Sequence, residues 1–164
     1  EIMVRPKISF GFMQGYLGMP DKSFEAYRNF WFHTGDAGFF NKKNQLTFVD
    51  RIKDCIRRRG ENISSYEVEQ AFLKIPQIAE AAAFAVPAKD HGQEDEVMVA
   101  LMIIKGSKIE YSKWINKVST DLAKFAIPLY LRVMKNFPKT QTGKIIKHAL
   151  RTEGITNDTW KNNL

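Results

Sequence analysis

"FVDRIKDCIRRRGENISSYEVE", residues 48–69, divides the chain into two kinds of material. Its last part starts a helix. Ser64 followed three residues later by Glu67 forms a capping box, in which each side chain satisfies the other residue's free backbone N–H. Beyond it Val68, Ala71, Phe72 and Ile75 recur at i, i+3, i+4 and i+7, one helical face that must be covered. The middle of the stretch places Arg51, Lys53, Arg57, Arg58 and Arg59 close together, just before Gly60. A run of cations is most often a solvated face. A glycine near a helix start, however, lets backbone approach an anionic or narrow ligand.

Downstream the pattern is that of an α+β domain. "IAEAAAFAVPA" and "EVMVALMIIK" read as two buried strands separated by the polar turn "KDHGQED". A second amphipathic helix is expected through "YSKWINKVSTDLAKF", with Trp114, Val118, Leu122 and Phe125 on its apolar face. "LRVMKNF" reads as a third strand ended by Pro138, and "KIIKHALRTEG" as a final helix. The expected architecture is a three-stranded sheet with packed helices over residues 51–164, the closing "NDTWKNNL" being a frayed tail. Upstream, residues 1–50 alternate short strands and turns. Asp21 is expected to cap a short helix near "DKSFEAYRN" after the turn at Pro20. "DAGFFNKKNQLTFVDR" has the pattern of a hairpin around the polar turn from Asn41 to Gln45. The strand-like opening "EIMVRPK" looks like a chain entered in the middle of a sheet whose other strands precede it.

Bulk composition narrows the function classes. With 44% hydrophobic and 26% charged residues, the chain is ordinary for a globular protein. Its longest apolar run, Val97 to Ile104, is far short of the ~18 residues a membrane helix needs. No basic-then-apolar leader is visible, and the expectation is a cytoplasmic protein without a stable membrane anchor. The single Cys55 excludes an internal disulfide, and His33, His91 and His148 lack metal-site spacing, so no metal ligand is assigned. Twenty-five basic against 18 acidic residues give a net charge of +7, which suits anionic partners, whether nucleic acid, membrane surface, nucleotides or coenzyme A.

Three stretches carry candidate chemistry. In "WFHTGDAG", residues 31–38, Thr34, Gly35 and Asp36 are first of all turn residues. Asp36 could also present its carboxylate to the vicinal diol of a nucleotide ribose. The basic run before Gly60 is the second. The third is "PKTQTGKI", residues 138–145, which superficially resembles a phosphate-binding loop. It is not one of the G-x-x-x-x-G-K-[ST] kind: Pro138 holds the first glycine position, and Ile145 has no hydroxyl for magnesium. That leaves Lys144 on a short mobile tether at a helix start.

In the order W-x-x-T-G-D, D-R-x-K-D-x-I-x-x-x-G-E-x-I-x-x-x-E-V-E and P-K-T-x-T-G-K-I, roughly residues 1–152 resemble the acyl- and aryl-adenylate-forming enzymes. "FMQGYLGMPDKS" followed by "RNFWFHTGDAG" looks most like bacterial acid–CoA ligases of the crotonobetaine/carnitine type. The resemblance implies a two-step reaction: carboxylate and ATP give an acyl-adenylate and pyrophosphate, then the coenzyme A thiol displaces AMP. It implies that Thr34, Asp36 and Arg51 serve the ATP or AMP ribose, with Phe48 near the nucleoside, and that Lys144 is catalytic in adenylation. It implies further that Lys53 is the hinge on which a small C-terminal lid rotates, and that Arg57, Arg59 and Gly60 belong to the face serving coenzyme A. Residues 1–50 would then end the large N-terminal domain. Mg2+ is expected to be held mainly by ATP and by that domain. Asp50 stands where many relatives have glycine, and Ala37 where a larger aliphatic is commoner. Since the loop for the β- and γ-phosphates and the acyl pocket lie outside these residues, the isolated chain is expected to be inactive. Two other readings stay open: an adenylation domain loading a carrier-protein thiol, which the short tail disfavours, and a basic nucleic-acid module. Against the latter, aromatic residues fall on core-like spacings and are not interleaved with the arginines.

Overall fold

Residues 1–8, 10–88 and 95–163 are described by the structure, a computed structural model, and they fall into two units, Glu1–Lys53 and Asp54–Leu164. In the first unit, β1 (Met3–Val4) pairs antiparallel with β2 (Phe32–His33), and α1 spans Pro20–Ala26. β3 (Asp36–Phe40) and β4 (Leu46–Arg51) form the expected hairpin. Its turn is set by Asn41, whose side-chain oxygen accepts from the N–H groups of Lys43 and Gln45. Asp21 does not cap α1. Pro20 itself occupies the helix start, where its missing N–H costs nothing, and this moves Asp21 inside the first turn. The unit exposes Phe10, Leu17, Phe24 and Phe30 almost completely. Among the described residues, every buried hydrophobic side chain lies in the second unit.

That second unit opens with a small hairpin, β5 (Ile56–Arg58) and β6 (Glu61–Ile63), followed by α2 (Ser65–Leu73). Ser64 caps α2 by accepting from the Glu67 N–H at 3.1 Å. β7 (Ile78–Pro87), β8 (Asp95–Ile103), α3 (Tyr111–Val118), β9 (Tyr130–Val133), α4 (Lys147–Glu153) and β10 (Trp160–Lys161) complete it. The sheet order is β10-β9-β8-β7. β7 and β8 are antiparallel, whereas β8 and β9 are parallel, and α3 lies in the long connection that a parallel pair requires.

The uninterrupted apolar runs have a simple cause: both faces of the sheet are covered. Val97, Val99 and Leu101 pack with Val68 and Phe72 of α2 and with Trp114 and Val118 of α3. The alternate residues, Phe84, Val86, Met98 and Ala100, pack with Phe137 and Leu150. Two expectations are corrected here. The α3 helix stops at Val118, because the hydroxyls of Ser119 and Thr120 turn back onto the carbonyls of Asn116 and Lys117. Leu122 is still buried, but Phe125 is 40% exposed. The turn proposed over "KDHGQED" falls largely on residues 89–94, outside the described residues. No helix among the described residues is long and apolar enough to cross a membrane.

The α+β class stands, but the main sheet has four strands, and the closing segment is not a frayed tail. Trp160 pairs with Leu131 and stacks on Tyr111 with ring centroids 5.3 Å apart. Asn162 is buried, its N–H donating to the Leu129 carbonyl at 2.8 Å. Arg132 holds Glu153 and Asp158 at 3.0 and 3.1 Å, tying the turn before β10 to the sheet. The polar composition concealed a two-residue strand with one aromatic anchor. Trp160→Ala is expected to destabilise the second unit by about 1–3 kcal/mol, read as a lower urea midpoint; an unchanged midpoint would mean that β10 adds nothing.

Candidate functional site

In the first unit, Asp36 and Arg51 are register partners across β3 and β4, and their side chains meet, Arg51 Nε to Asp36 Oδ1 at 2.9 Å. The turn before Asp36 is fixed from both sides. Thr34 Oγ1 donates to the Ile2 carbonyl and accepts from the Asp36 N–H, and Gly35 takes a positive φ of 72° that favours glycine. Glu1 binds the Gly35 N–H at 3.1 Å and His33 Nδ1 at 2.7 Å. The hydrogen bond with His33 is the main reason the Glu1 carboxyl lies below its ordinary range.

Phe48 reaches the same face through an irregularity. Ala37 pairs with Asp50 and Gly38 with Phe48, so Val49 is an extra residue in β4. In a regular strand, positions 48 and 51 point to opposite faces. The inserted residue restores Phe48 to the face of Asp36 and Arg51. Gly38 has no room for a side chain there, since a Cβ would lie 2.7 Å from the Thr47 carbonyl oxygen. Thr34, Arg51 and Lys53 also line a groove of about 680 Å³, to which Lys22 and Arg28 add positive charge. Lys53 is exposed in the turn Ile52–Asp54, where the first unit ends.

In the second unit, Arg59 and Gly60 are the two central residues of the β5–β6 hairpin, with φ of 52° and 81°. Both left-handed, they have the signature of the tight turn whose twist matches its strands. Gly60 is therefore at a hairpin tip and not beside the helix start, which lies four residues on at Ser64. Nothing within 4 Å of it would obstruct a side chain, so the local demand for glycine is conformational. Arg57 and Arg59 are exposed, while Arg58, between them, is buried. A groove of about 500 Å³ runs beside the tip, lined by Arg58, Arg59 and Lys124 together with Asn116 and Ser119.

The loop at 138–146 is also a hairpin, closed by a bridge between Lys139 and Ile145. Thr140 N–H donates to the Lys144 carbonyl at 2.8 Å, and Gly143 N–H to the Thr140 carbonyl at 2.9 Å. Gly143, with φ of 82°, turns the chain back. Lys144 N–H donates to Thr140 Oγ1, which lies 2.9 Å from Thr142 Oγ1. Lys144 is thus not on a loose tether at a helix start. It sits on the return arm of a tight turn, three residues before α4. Its neighbours are neutralised: Lys139 pairs with Glu80 and Lys147 with Glu69, at 2.7 and 2.6 Å. The exposed Lys144 makes no ion pair among the described residues, which leaves its ammonium available for an anion.

Two ion pairs of the second unit, one buried and one half-buried, escaped sequence reasoning. Arg58 Nε lies 2.7 Å from Glu96, and Arg151 reaches Asp54 at 3.1 Å. Arg58 looked like one more member of a basic run, and only the burial alternation along β5 distinguishes it.

The described residues thus hold an Asp–Arg pair across one hairpin, a basic hairpin with a glycine tip, and an exposed ammonium on a third hairpin. Residues 67–144, within the second unit, match the family model of the AMP-binding enzyme C-terminal domain. The chain is 38% identical over 138 residues to an oxalate–CoA ligase of Saccharomyces cerevisiae, covering 83% of this chain and 25% of that protein. It is 37% identical over 140 residues to a peroxisomal trans-cinnamate:CoA ligase of Petunia hybrida, covering 85% and 24%. The o-succinylbenzoate CoA synthetase of Bacillus subtilis, solved with its acyl-adenylate intermediate, overlays all of this chain and 31% of its own length, with a TM-score of 0.81 at 27% identity. The chain spans about a quarter of the length of these curated relatives.

Proposed function

We propose that this chain is the C-terminal portion of an ATP-dependent carboxylic acid–CoA ligase. The carboxylate attacks the α-phosphorus of ATP, expelling pyrophosphate and leaving an acyl-adenylate. The thiolate of coenzyme A then attacks the acyl carbon, expelling AMP and leaving the thioester. The observation that carries the reading is that Asp36, Arg51 and Phe48 share one face of their hairpin, in a chain that overlays entirely on an acyl-adenylate-bound synthetase.

In this reading Asp36 accepts hydrogen bonds from the ribose hydroxyls, Arg51 holds that carboxylate in place, Thr34 fixes the turn that presents it, and Phe48 packs near the nucleoside. Lys144 stabilises the negative charge that accumulates where carboxylate and α-phosphate meet. Lys53, in the turn between the units, is the hinge of the lid. Arg57, Arg59 and Gly60 serve thioester formation, and the positively charged groove beside Arg59 suits a polyanionic thiol substrate. Among the described residues no group of three His, Cys, Asp or Glu could hold a metal ion. In this reading Mg2+ accompanies ATP and is held mainly by the nucleotide and the large N-terminal domain. The exposed aromatics of the first unit fit a surface covered by the rest of a large N-terminal domain. The cytoplasm is the proposed compartment, where ATP and coenzyme A are both at hand. "FMQGYLGMPDKS" and "RNFWFHTGDAG" favour an acid of the crotonobetaine/carnitine kind.

The full-length enzyme is expected to release pyrophosphate from ATP only when given a suitable carboxylic acid, and to form a thioester only when coenzyme A is then added. Screening acids by pyrophosphate release, with crotonobetaine and carnitine beside oxalate and cinnamate, tests both levels. Release independent of any acid would reject the ligase reading; release with other acids alone would reject only the narrower one.

A further inference from the structure

The two hairpins that carry the proposed chemistry of the second unit are each held from behind by a separate ion pair of low exposure. Lys147 Nζ, three residues after Lys144, contacts Glu69 Oε1 at 2.6 Å and Ser65 Oγ at 2.7 Å. The same Glu69 oxygen accepts from the Ala83 N–H at 2.9 Å. One carboxylate thus ties the exit of the Lys144 hairpin to α2 and to β7. Side-chain exposures of 17% and 14% place this pair out of bulk water, so its geometry is well enforced.

Behind the other hairpin, Arg58 Nε lies 2.7 Å from Glu96 Oε2, an ionic contact without hydrogen-bond alignment between those two atoms, with side-chain exposures of 11% and 7%; Arg59 Nη2 approaches the other oxygen of Glu96 at 3.9 Å. Arg58 Nη1 also donates to the carbonyls of Phe125 and Ile127, each at 3.0 Å. This fork joins the tip-bearing strand β5 to β8 and to the segment after α3, immediately before Arg59 and Gly60. The two assemblies share no residue. A buried ion pair contributes little net stability against a well-packed apolar replacement. Each pair does, however, tie together backbone segments that are far apart in sequence.

We infer that Lys147–Glu69 is the positioning pair for the adenylation step and Arg58–Glu96 the positioning pair for the thioester step. The inference rests on the proposed ligase reading and adds to it that each half-reaction has its own support and can be lost separately. Neither pair touches a reacting atom. Each acts through the hairpin it anchors, and a displacement of about 1 Å there is enough to cost a large factor in rate.

The test uses the full-length enzyme and reads the two steps apart. ATP–pyrophosphate exchange reports adenylation, and conversion of preformed acyl-adenylate with coenzyme A reports the second step. Lys147→Met is expected to lower exchange about 100-fold while the second step stays within about threefold. Lys147→Arg, which keeps a cation at the carboxylate, is expected to recover about tenfold of that loss. Arg58→Met and Glu96→Gln are expected to give the reverse pattern. Should Lys147→Met not fold, Glu69→Gln, which retains an acceptor for Ala83, carries the same expectation. Parallel loss of both steps in every variant, or no loss in either, would overturn the inference. Lys144→Ala run beside them separates the two levels: if it abolishes exchange while Lys147→Met does not, only the positioning role falls. If Lys144→Ala itself retains exchange, the assignment of Lys144 falls and the inference with it.

Discussion

Lys144→Ala in the full-length enzyme is expected to lower ATP–pyrophosphate exchange by about 100- to 1000-fold, with much less effect on conversion of a supplied acyl-adenylate to the thioester. The size follows from where charge appears. Two anions, a carboxylate and the α-phosphate, are brought together in the first step. An ammonium fixed beside them stabilises that arrangement more than it stabilises the separated reactants. The structure supports the assignment by elimination within the loop. Lys139 and Lys147 are committed to Glu80 and Glu69, and Lys144 alone of the three is exposed without an ion pair among the described residues. The tight turn through Gly143 also limits where that ammonium can go, which favours a positioned charge over a floppy one. Lys144→Arg is a useful companion, because a planar fork is a poor substitute for a compact point charge. It should recover little of the loss.

The second large effect is expected at Gly60. Gly60→Trp should lower thioester formation from preformed acyl-adenylate about 100-fold while adenylation falls by no more than about threefold. Two causes are possible and they separate cleanly. The positive φ of 81° makes any L-residue strained there, at about 1–2 kcal/mol. Within its own unit, however, nothing lies within 4 Å of the position a Cβ would take. Asparagine tolerates the left-handed region, so Gly60→Asn keeps the turn at small conformational cost. If bulk obstructing the thiol arm is the cause, Trp should be far worse than Asn. If conformation is the cause, the Tm should fall with both and adenylation should weaken as well.

Much of this was legible in the sequence, and particular residues show why. Ser64 and Glu67 announced α2, and Val68, Ala71, Phe72 and Ile75 are all buried as their spacing required. Those signals are local, decided within a few residues. The apolar runs of β7 and β8 were legible for the same reason. What stayed hidden depends on distant partners. Ser65 and Lys147 are 82 positions apart, and Arg58 and Ile127 are 69 apart, so no window of sequence contains both members. The β10 strand was missed because Trp160 is a lone aromatic in a polar tail, and its stacking partner Tyr111 lies on α3. The placement of Phe48 was open too: only the extra residue Val49 in β4 puts it on the Asp36 face, and bulges leave little mark on hydrophobic pattern. The motif singles out Lys144 as a candidate, but the structure gives it another setting, since Thr-x-Thr-Gly reads equally as a helix lead-in and as the hairpin turn it forms.

The most direct test of the two-loop account measures both half-reactions in Lys144→Ala and Gly60→Trp side by side, in the full-length enzyme with a single acid. A crossed result is expected: Lys144→Ala loses pyrophosphate exchange and keeps most thioester formation from acyl-adenylate, while Gly60→Trp does the opposite. Equal losses of both steps in both variants would contradict it, because the two hairpins would then be serving one reaction centre in one arrangement.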